Sequence, residues 1–446
     1  MVEHSDIQGN ILRGYTFPIA RFLLISLGSA AAGRTWLAAV VDQVTTAEPW
    51  KQRPTSTFNL AFTYPGLERL GVEPAVLAAF PDTFREGMAH RARHLGDEGP
   101  NAPTEWENEL GSPETVARGH ALLSIYAETT ADCDARLAAV LPRGAEISLI
   151  FTQEAALLDG GREHFGFRDG ISNPALEGEA GPRNFGGGLR LQSDSSLTIA
   201  PGEFITGYPG QGGLIHRPPA APFDKNATYI VYRKLHQSVA AFRSYVNETA
   251  NRLRFDPEWL AARMVGRWKD GTPTVLSPDA PDPALANDPS RVNDFQFAQD
   301  PRGLKCPVGA HIRRTNPRDG LSGGGAAVEG HRMIRRGITY GESLPEGADD
   351  DGGERGLLFI SCNVNLQQQF EFVQRLWLND SGFTNTLDPD QYDPIVGNND
   401  GVGTMTVPVP TFSRRLQELP NFVRLRYGAY FIVPGLRALR TLSQLV

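Results

Sequence analysis

The sequence predicts an α+β fold in which two similar halves each contain an antiparallel sheet. The chain has 446 residues, which is more than one ordinary hydrophobic core accommodates, so two domains or a pair of fused repeats are expected. Short apolar runs alternate with segments of helical periodicity in the first third of the chain, and the alternation returns in the second half. The 47 glycines and 33 prolines are typical of a folded protein with long, ordered loops.

The first half follows the order strand, helix, strand, and then repeats it. Its predicted strands are residues 22–27, 58–64, 121–126 and 147–151. Its predicted helices are residues 35–45, 65–70 and 130–141. The polar stretch 91–113 is expected at the surface. This order is the ferredoxin-like pattern.

The second half repeats the theme with large insertions. Its predicted strands are 228–233, 357–361, 422–425 and 429–432, and its predicted helices are 236–252 and 366–377. The loops 277–301, 319–330 and 346–354 lie between them. Loops longer than about 15 residues usually serve a functional site, so we expect the site in this half. The predicted domains are 1–155, and 156–446 with the glycine-flanked loop around Asp169.

Charge and cysteine content limit the class of protein. The net charge is −8 without a block of lysine or arginine, which argues against nucleic acid as a partner. Residues 1–20 contain no apolar run typical of a secretory signal, and the longest apolar stretch, 22–32, is too short to span a membrane. Cys133, Cys306 and Cys362 are scattered and odd in number, which suits a reducing compartment. A cytoplasmic protein without a membrane partner is therefore expected.

His311 is the first candidate functional residue. An isolated histidine usually has a structural role, but Gly309 and Ala310 leave room beside this one for the flat face of a porphyrin. Nearby guanidinium groups suit carboxylates such as haem propionates, and the arginines are Arg313, Arg314 and Arg318. The competing interpretation is a loop of solvated arginines.

Asp169 is the second candidate, between Arg168 and Gly170. An Asp-Gly pair most often forms an ordinary turn. The functional interpretation is a carboxylate near iron that takes a proton from one peroxide oxygen and returns it to the other. The adjacent Arg168 would keep such a carboxylate ionised.

The segment 331–341 offers a cation for the same site. In an extended segment Met333 and Arg335 face one side, whereas Ile334 and Arg336 face the other. One of these arginines could stabilise the hydroxide that leaves as the O–O bond breaks. The residue pattern leaves open whether that arginine is Arg335 or Arg336, and an ordinary basic strand is the alternative.

Four segments together resemble the dye-decolorizing peroxidases, in the same order along the chain. They are residues 6–13, residues 166–174 with a GxxDG signature, residues 309–318 and residues 334–341. The resemblance covers nearly the whole chain and is greatest for the larger bacterial and fungal-type subgroup. It implies two ferredoxin-like domains of the dimeric α+β barrel type, one haem b per chain and peroxidase turnover.

The resemblance also assigns roles to residues. It implies His311 as the proximal iron ligand and Asp169 as the distal acid–base, with Arg335 as its partner. Asp393 would accept the hydrogen of the other imidazole nitrogen. The apolar distal wall would be formed by Leu358 and Phe359, and the haem would also be held by Arg313 and Arg318.

The implied substrates are hydrogen peroxide and small organic or dye reductants, including phenols. A closed pocket would not admit bulky donors, so a surface electron relay is expected, with Trp377 and Tyr340 as candidates. Trp377 equally fits core packing with Phe370 and Val373. The sequence leaves open a monomer or a homodimer, the physiological reductant, and whether manganese is oxidised.

Three other functions compete with a histidine-ligated peroxidase. A haem carrier would share His311 but would not need a distal acid and cation. A thiolate-haem monooxygenase would use Cys306 as the iron ligand. A non-haem metallohydrolase would use Glu163, His164 and Asp169, although their spacing matches no standard ligand set.

Overall fold

The computed structural model describes residues 2–141, 146–178, 198–384 and 391–445. Its strands are β1 Ile19–Leu27, β2 Ser56–Phe62, β3 Ala121–Ala127, β4 Ile147–Ala156, β5 Ala175–Leu176, β6 Thr198–Ile199, β7 Thr228–Gln237, β8 Ile334–Arg335, β9 Ile338–Tyr340, β10 Gly356–Asn363, β11 Gly403–Val409, β12 Phe412–Leu419 and β13 Val423–Val433. Its α-helices are α1 Gly9–Leu12, α2 Ala30–Val40, α3 Tyr64–Leu70, α4 Pro74–Leu77, α5 Asp82–His90, α6 Ala92–Leu95, α7 Pro113–Arg118, α8 Thr130–Val140, α9 Val239–Leu253, α10 Pro257–Val265, α11 Pro283–Ala286, α12 His311–Thr315, α13 Ala326–Glu329 and α14 Leu436–Ser443.

One antiparallel sheet joins the two halves of the chain. Within the described ranges its order is β4-β1-β3-β2-β13-β7-β10-β8, and β9 also pairs with β10. The halves meet where Ile432 of β13 pairs with Phe62 of β2. At the outer ends the Thr339 hydroxyl of β9 donates to the Ala156 carbonyl of β4, so the two edges of the sheet approach each other. The predicted α+β class with antiparallel strands is confirmed.

Alternation of side chains builds the two faces of this sheet. In β1, Leu23 and Ile25 belong to a core that includes residues of α2 and α14, whereas Phe22 and Leu24 belong to the core on the opposite face. Helix α2 starts at Ala30, not at the predicted residue 35, because the Ser29 side chain accepts a hydrogen bond from the Ala32 amide and caps it.

The segment 91–113, predicted at the surface, is exposed in part, but long-range contacts bury several of its residues. Asp97 is buried and pairs with Arg233 of β7, with one N–O distance of 3.0 Å. The Asn101 side chain accepts a hydrogen bond from the Leu425 amide, and Trp106 packs edge-on against Tyr427. Asp97 and Asn101 are therefore satisfied inside the protein, whereas other polar residues of the segment, such as Arg93, Glu98 and Glu109, are exposed.

The structure also differs from the prediction in the extent and type of several helices and strands. The predicted strands 422–425 and 429–432 are one strand, β13. The predicted helix 366–377 is wound as a π-helix over Gln367–Glu371 and Val373–Leu378. The β11–β12 hairpin and the C-terminal helix α14 were not predicted. Across the ranges given above, no helix is both long and apolar enough to cross a membrane.

Candidate active site

A cavity lies between the second half of the sheet and helix α12. The sheet presents alternate residues to it, as period-two geometry requires: Arg233, Leu235 and Gln237 from β7, Leu357 and Phe359 from β10, and Val423 and Leu425 from β13. Helix α12 contributes His311 and Ile312 to the cavity lining. The cavity is therefore built mainly by the second half of the chain, where the long loops predicted a site.

His311 is held from behind by a buried carboxylate. Its Nδ1 lies 3.1 Å and 3.0 Å from the two carboxylate oxygens of Asp393. Asp393 is fully buried and also accepts the amide hydrogens of Ile395 and Val396, each at 2.9 Å. Burial opposes protonation of His311, but the charge and hydrogen bond of Asp393 together with the charge of Asp169 outweigh it, and the pKa of the imidazole is raised. This pairing fixes the ring and leaves Nε2 to bind a metal from the cavity.

The arginines that follow His311 have different environments. Arg313 donates to the Cys306 carbonyl at 2.8 Å and lies over the Phe297 ring, outside the cavity lining, so its predicted contact with haem is wrong. Arg314 is likewise used to bind main-chain carbonyls. Arg318 does line the cavity, while also donating to the carbonyls of neighbouring loop residues.

Asp169 and Arg335 line the same cavity as His311. The Oδ1 atom of Asp169 accepts the Gly170 amide hydrogen at 2.6 Å, which leaves Oδ2 for other partners. Arg335 donates to the Ser172 carbonyl at 2.6 Å, and its main-chain amide donates to the Asn173 side chain at 2.8 Å. Burial lowers the pKa of Arg335 and the charge of Asp169 opposes that effect. The structure thus brings the predicted acid and cation together.

Arg336 lies on the opposite face of its strand. It donates to the carbonyls of Asn10 and Ile11, at 3.3 Å and 3.0 Å, in the N-terminal half of the protein. Met333 and Arg335 line the cavity, whereas Ile334 packs in the core behind the sheet. The alternation predicted from the sequence therefore selects Arg335 as the cavity residue.

The predicted apolar wall is displaced by one residue. Phe359 lines the cavity together with Leu357, whereas Leu358 is fully buried in the core on the other face of the sheet. Neighbouring residues of a strand point to opposite faces, so 358 and 359 cannot both form the wall. The prediction for Leu358 is wrong, and Leu357 takes its place.

Trp377 and Tyr340, the two candidates for a surface electron relay, are both buried, and for Trp377 this is the core-packing alternative. They are 5% and 2% exposed, and neither lines the cavity. Trp377 lies edge-on to His331 with a centroid distance of 5.1 Å, and His331 itself lines the cavity. The Tyr340 hydroxyl is buried without a hydrogen-bond partner among the described residues.

The cavity also contains polar residues that the sequence did not single out as functional. They include Asp97, Asn101, Gln237, Arg267 and Asn316, and the lining also contains Glu163, which the sequence offered only as a ligand of a non-haem metal. Gln237 fell within the predicted helix 236–252, whereas β7 continues through it, so its alternation with Leu235 was not available from the sequence. For Asp97 there was no signal, because its partner Arg233 is distant in the sequence.

The residues present fit a haem group. An imidazole, apolar residues from three strands, an acid and a cation line one cavity, and this set of groups suits a flat, largely apolar ligand that carries a metal. The carboxyl edge of such a ligand needs hydrogen-bond donors, and the guanidinium of Arg318 lies in the cavity lining.

The competing metal sites do not fit. Cys306 is fully buried outside the cavity lining, and burial raises the pKa of its thiol to about 11, which disfavours thiolate ligation. His164 Nε2 lies 2.8 Å from the Tyr340 carbonyl oxygen. Across the described ranges no group of His, Cys, Asp or Glu side chains could hold a metal ion.

Comparison with known proteins agrees with this geometry. The profile of the DyP dimeric alpha+beta barrel domain matches residues 6–155, and that of the Dyp-type peroxidase C-terminal domain matches residues 276–398. Peroxidase 2 of Mycetinis scorodonius is 32% identical over 98% of this chain and 87% of its own length. The dye-decolorizing peroxidase of Exidia glandulosa is 32% identical over 98% of this chain and 86% of its own. A dye-decolorizing peroxidase solved with 2,6-dimethoxyphenol superposes with a TM-score of 0.82, at 28% identity over 99% of this chain and 100% of that one.

Proposed function

The chain belongs to the dye-decolorizing peroxidase family and is a haem peroxidase, and we propose that His311, Asp169 and Arg335 carry its reaction. The observation that carries this proposal is their arrangement around one cavity, with the carboxylate-bound imidazole on the α12 side. A haem carrier would need His311 alone. A paired acid and cation on the same cavity favour an enzyme that handles protons.

We propose that the cofactor is haem b, held without covalent bonds. Its iron ligand would be His311 Nε2, with Asp393 binding the other ring nitrogen. Arg318 would bind the carboxyl edge, and Leu357 and Phe359 would pack against the ring system. None of the three cysteines lines the cavity, which supports a cofactor without thioether links.

The distal residues would move one proton and compensate one charge. Haem, when bound, supplies the redox chemistry that breaks the peroxide O–O bond. Because Oδ1 of Asp169 is occupied by the Gly170 amide, Oδ2 is the atom that would take a proton from one peroxide oxygen and return it to the other. Arg335, fixed by Ser172 and Asn173, would stabilise the negative charge that develops on the leaving oxygen.

The reducing substrates that we propose for this chain are dyes and phenols such as 2,6-dimethoxyphenol, which is bound by the related enzyme. We further propose the domain division 1–155 and 156–446, since the first family profile ends at residue 155. A cytoplasmic location is also proposed, supported by three free, buried thiols.

Exchanging each of two neighbouring arginines tests the proposed function. Arg335→Leu should lower the rate of peroxide-dependent 2,6-dimethoxyphenol oxidation by roughly 100-fold, because it removes a donor aimed at developing charge. Arg336→Leu is the matched control, since its guanidinium lies on the far face of the strand. Initial rates of haem-loaded protein at saturating phenol provide the measurement. Loss of activity in the Arg336 variant alone would contradict the assignment.

Electron relay from bulky dyes is expected to depend on Trp377 more than on Tyr340. Trp377 contacts His331 at the cavity wall, whereas an oxidised Tyr340 would have no described neighbour to accept its phenolic proton. Trp377→Phe should slow oxidation of a bulky dye about 10-fold, equivalent to about 1.4 kcal/mol of barrier, with the peroxide step unchanged. Tyr340→Phe should change dye oxidation little, and the reverse order would show that the relay runs through β9.

A further inference from the structure

The loop that carries Asp169 is folded around a second carboxylate, Glu163. The Oε1 atom of Glu163 accepts the Phe167 amide hydrogen at 2.8 Å, and Oε2 accepts that of Phe165 at 2.9 Å. The main chain closes the same turn, because the Glu163 amide donates to the Phe167 carbonyl at 2.9 Å. Asp169 follows two residues later, and its amide donates to the Gly161 carbonyl at 2.9 Å. The position of Asp169 thus depends on this turn.

Gln237 ties the turn to the sheet. Its Nε2 donates to Glu163 Oε2 at 2.5 Å. Gln237 is the last residue of β7, is 5% exposed and lines the cavity. The side-chain bond between Gln237 and Glu163 therefore joins a loop to the rigid strand that also provides the cavity wall.

The surroundings of Glu163 disfavour the ionised form of its carboxyl group. Burial raises the pKa of Glu163 to about 7, despite the hydrogen bonds from Gln237 and two amides, and the charge of Asp169 acts in the same direction as burial. Both of its oxygens are occupied by donors from the loop and from Gln237. Glu163 is consequently placed to shape the loop and not to exchange protons with a substrate.

We propose that Glu163, anchored by Gln237, is a positioning residue that fixes Asp169 in the cavity. The inference rests on the proposed function, because Glu163 acts through the proton transfer assigned to Asp169. Without an acceptor at 163, the amides of Phe165 and Phe167 would lose their partners in a buried turn, and the loop would have to rearrange. A displacement of about 1 Å of a proton-transfer group can cost about 100-fold in rate.

The test is a double-mutant cycle with the haem-loaded full chain. Glu163→Gln is made in the native background and in an Asp169→Asn background, and the reaction with hydrogen peroxide is followed by rapid-mixing absorbance. We expect a loss of roughly 10- to 100-fold in the native background and little further loss beside Asp169→Asn. An equal loss in both backgrounds, or none in the native one, would overturn the inference. If Asp169→Asn alone leaves the rate unchanged, the proposed function fails and the inference with it.

Hydrogen exchange supplies a readout independent of turnover. In Glu163→Gln the amide group cannot accept every bond that the carboxylate accepts, so the amides of Phe165 and Phe167 should exchange faster. Glu203→Gln is the matched control, because both oxygens of Glu203 are also hydrogen-bonded, one to the main-chain amide of Gln211 and the other to His216, but Glu203 lies outside the cavity lining. It should leave both the exchange of this loop and the peroxide rate unchanged.

A second variant keeps the inference testable if Glu163→Gln does not fold. Gln237→Met removes the donor to Glu163 while conserving volume, and the loop keeps its own bonds to the carboxylate. We expect a peroxide rate several-fold lower, and again no further loss in the Asp169→Asn background. An unchanged rate together with unchanged exchange at Phe165 and Phe167 would overturn the anchoring role of Gln237.

Discussion

His311→Ala is expected to yield a protein that folds but does not retain haem. We propose this imidazole as the metal-binding side chain because it lines the cavity from α12 and its ring is oriented by Asp393. Loss of a partner behind a metal ligand typically costs about 10- to 100-fold in affinity, and loss of the ligand itself should cost more. Haem retention should therefore fall by more than about 10-fold relative to the native protein.

Absorbance is the appropriate measurement for this variant. Both proteins are supplied with haem, passed through a desalting column and compared by the ratio of the Soret band to protein absorbance. His331→Ala is the control, since His331 also lines the cavity but stacks on Phe372 at a centroid distance of 3.8 Å. A full Soret band in His311→Ala would rule out this histidine as the ligand.

Many helices and strands could be predicted because hydrophobic periodicity within a short segment is enough to indicate them. The alternation of Leu23 and Ile25 with Phe22 and Leu24 defines a strand that is covered on both faces, whatever its neighbours are. The pairing of Asp97 with Arg233 could not be predicted in this way, since it joins distant segments and buries one residue of a largely polar stretch. Local polarity indicates exposure only when no partner exists elsewhere in the chain.

The same distinction applies to the candidate site. Strand alternation places Arg335 and Arg336 on opposite faces, and the choice between them follows once the structure shows which face lines the cavity. The assignment of Leu358 to the cavity wall was wrong because neighbouring residues of a strand face opposite sides of the sheet, and Leu358 lies on the side away from the cavity. The environment of Arg313 could not be foreseen, since the Cys306 carbonyl that it binds is brought there by the folding of a long loop.

Asp169→Asn should keep haem and lose most of its reactivity towards peroxide. Asparagine has nearly the same shape and can still accept the Gly170 amide hydrogen, so the loop should be preserved. Its amide group cannot take a proton from peroxide at Oδ2, however. General acid–base groups contribute about 100- to 10,000-fold, and the rate constant for the peroxide reaction should fall by an amount in that range.

Rapid mixing of haem-loaded protein with hydrogen peroxide measures this rate without a reducing substrate, which separates the proton step from electron transfer. Asp159→Asn is the matched control, because Asp159 is likewise exposed and followed by a glycine but lies outside the cavity lining. Equal Soret intensity in all three proteins would show that cofactor binding is intact. A rate in Asp169→Asn equal to that of the control would remove Asp169 from the mechanism and leave Arg335 as the distal group that acts on peroxide, since Arg335 carries charge without needing to exchange a proton.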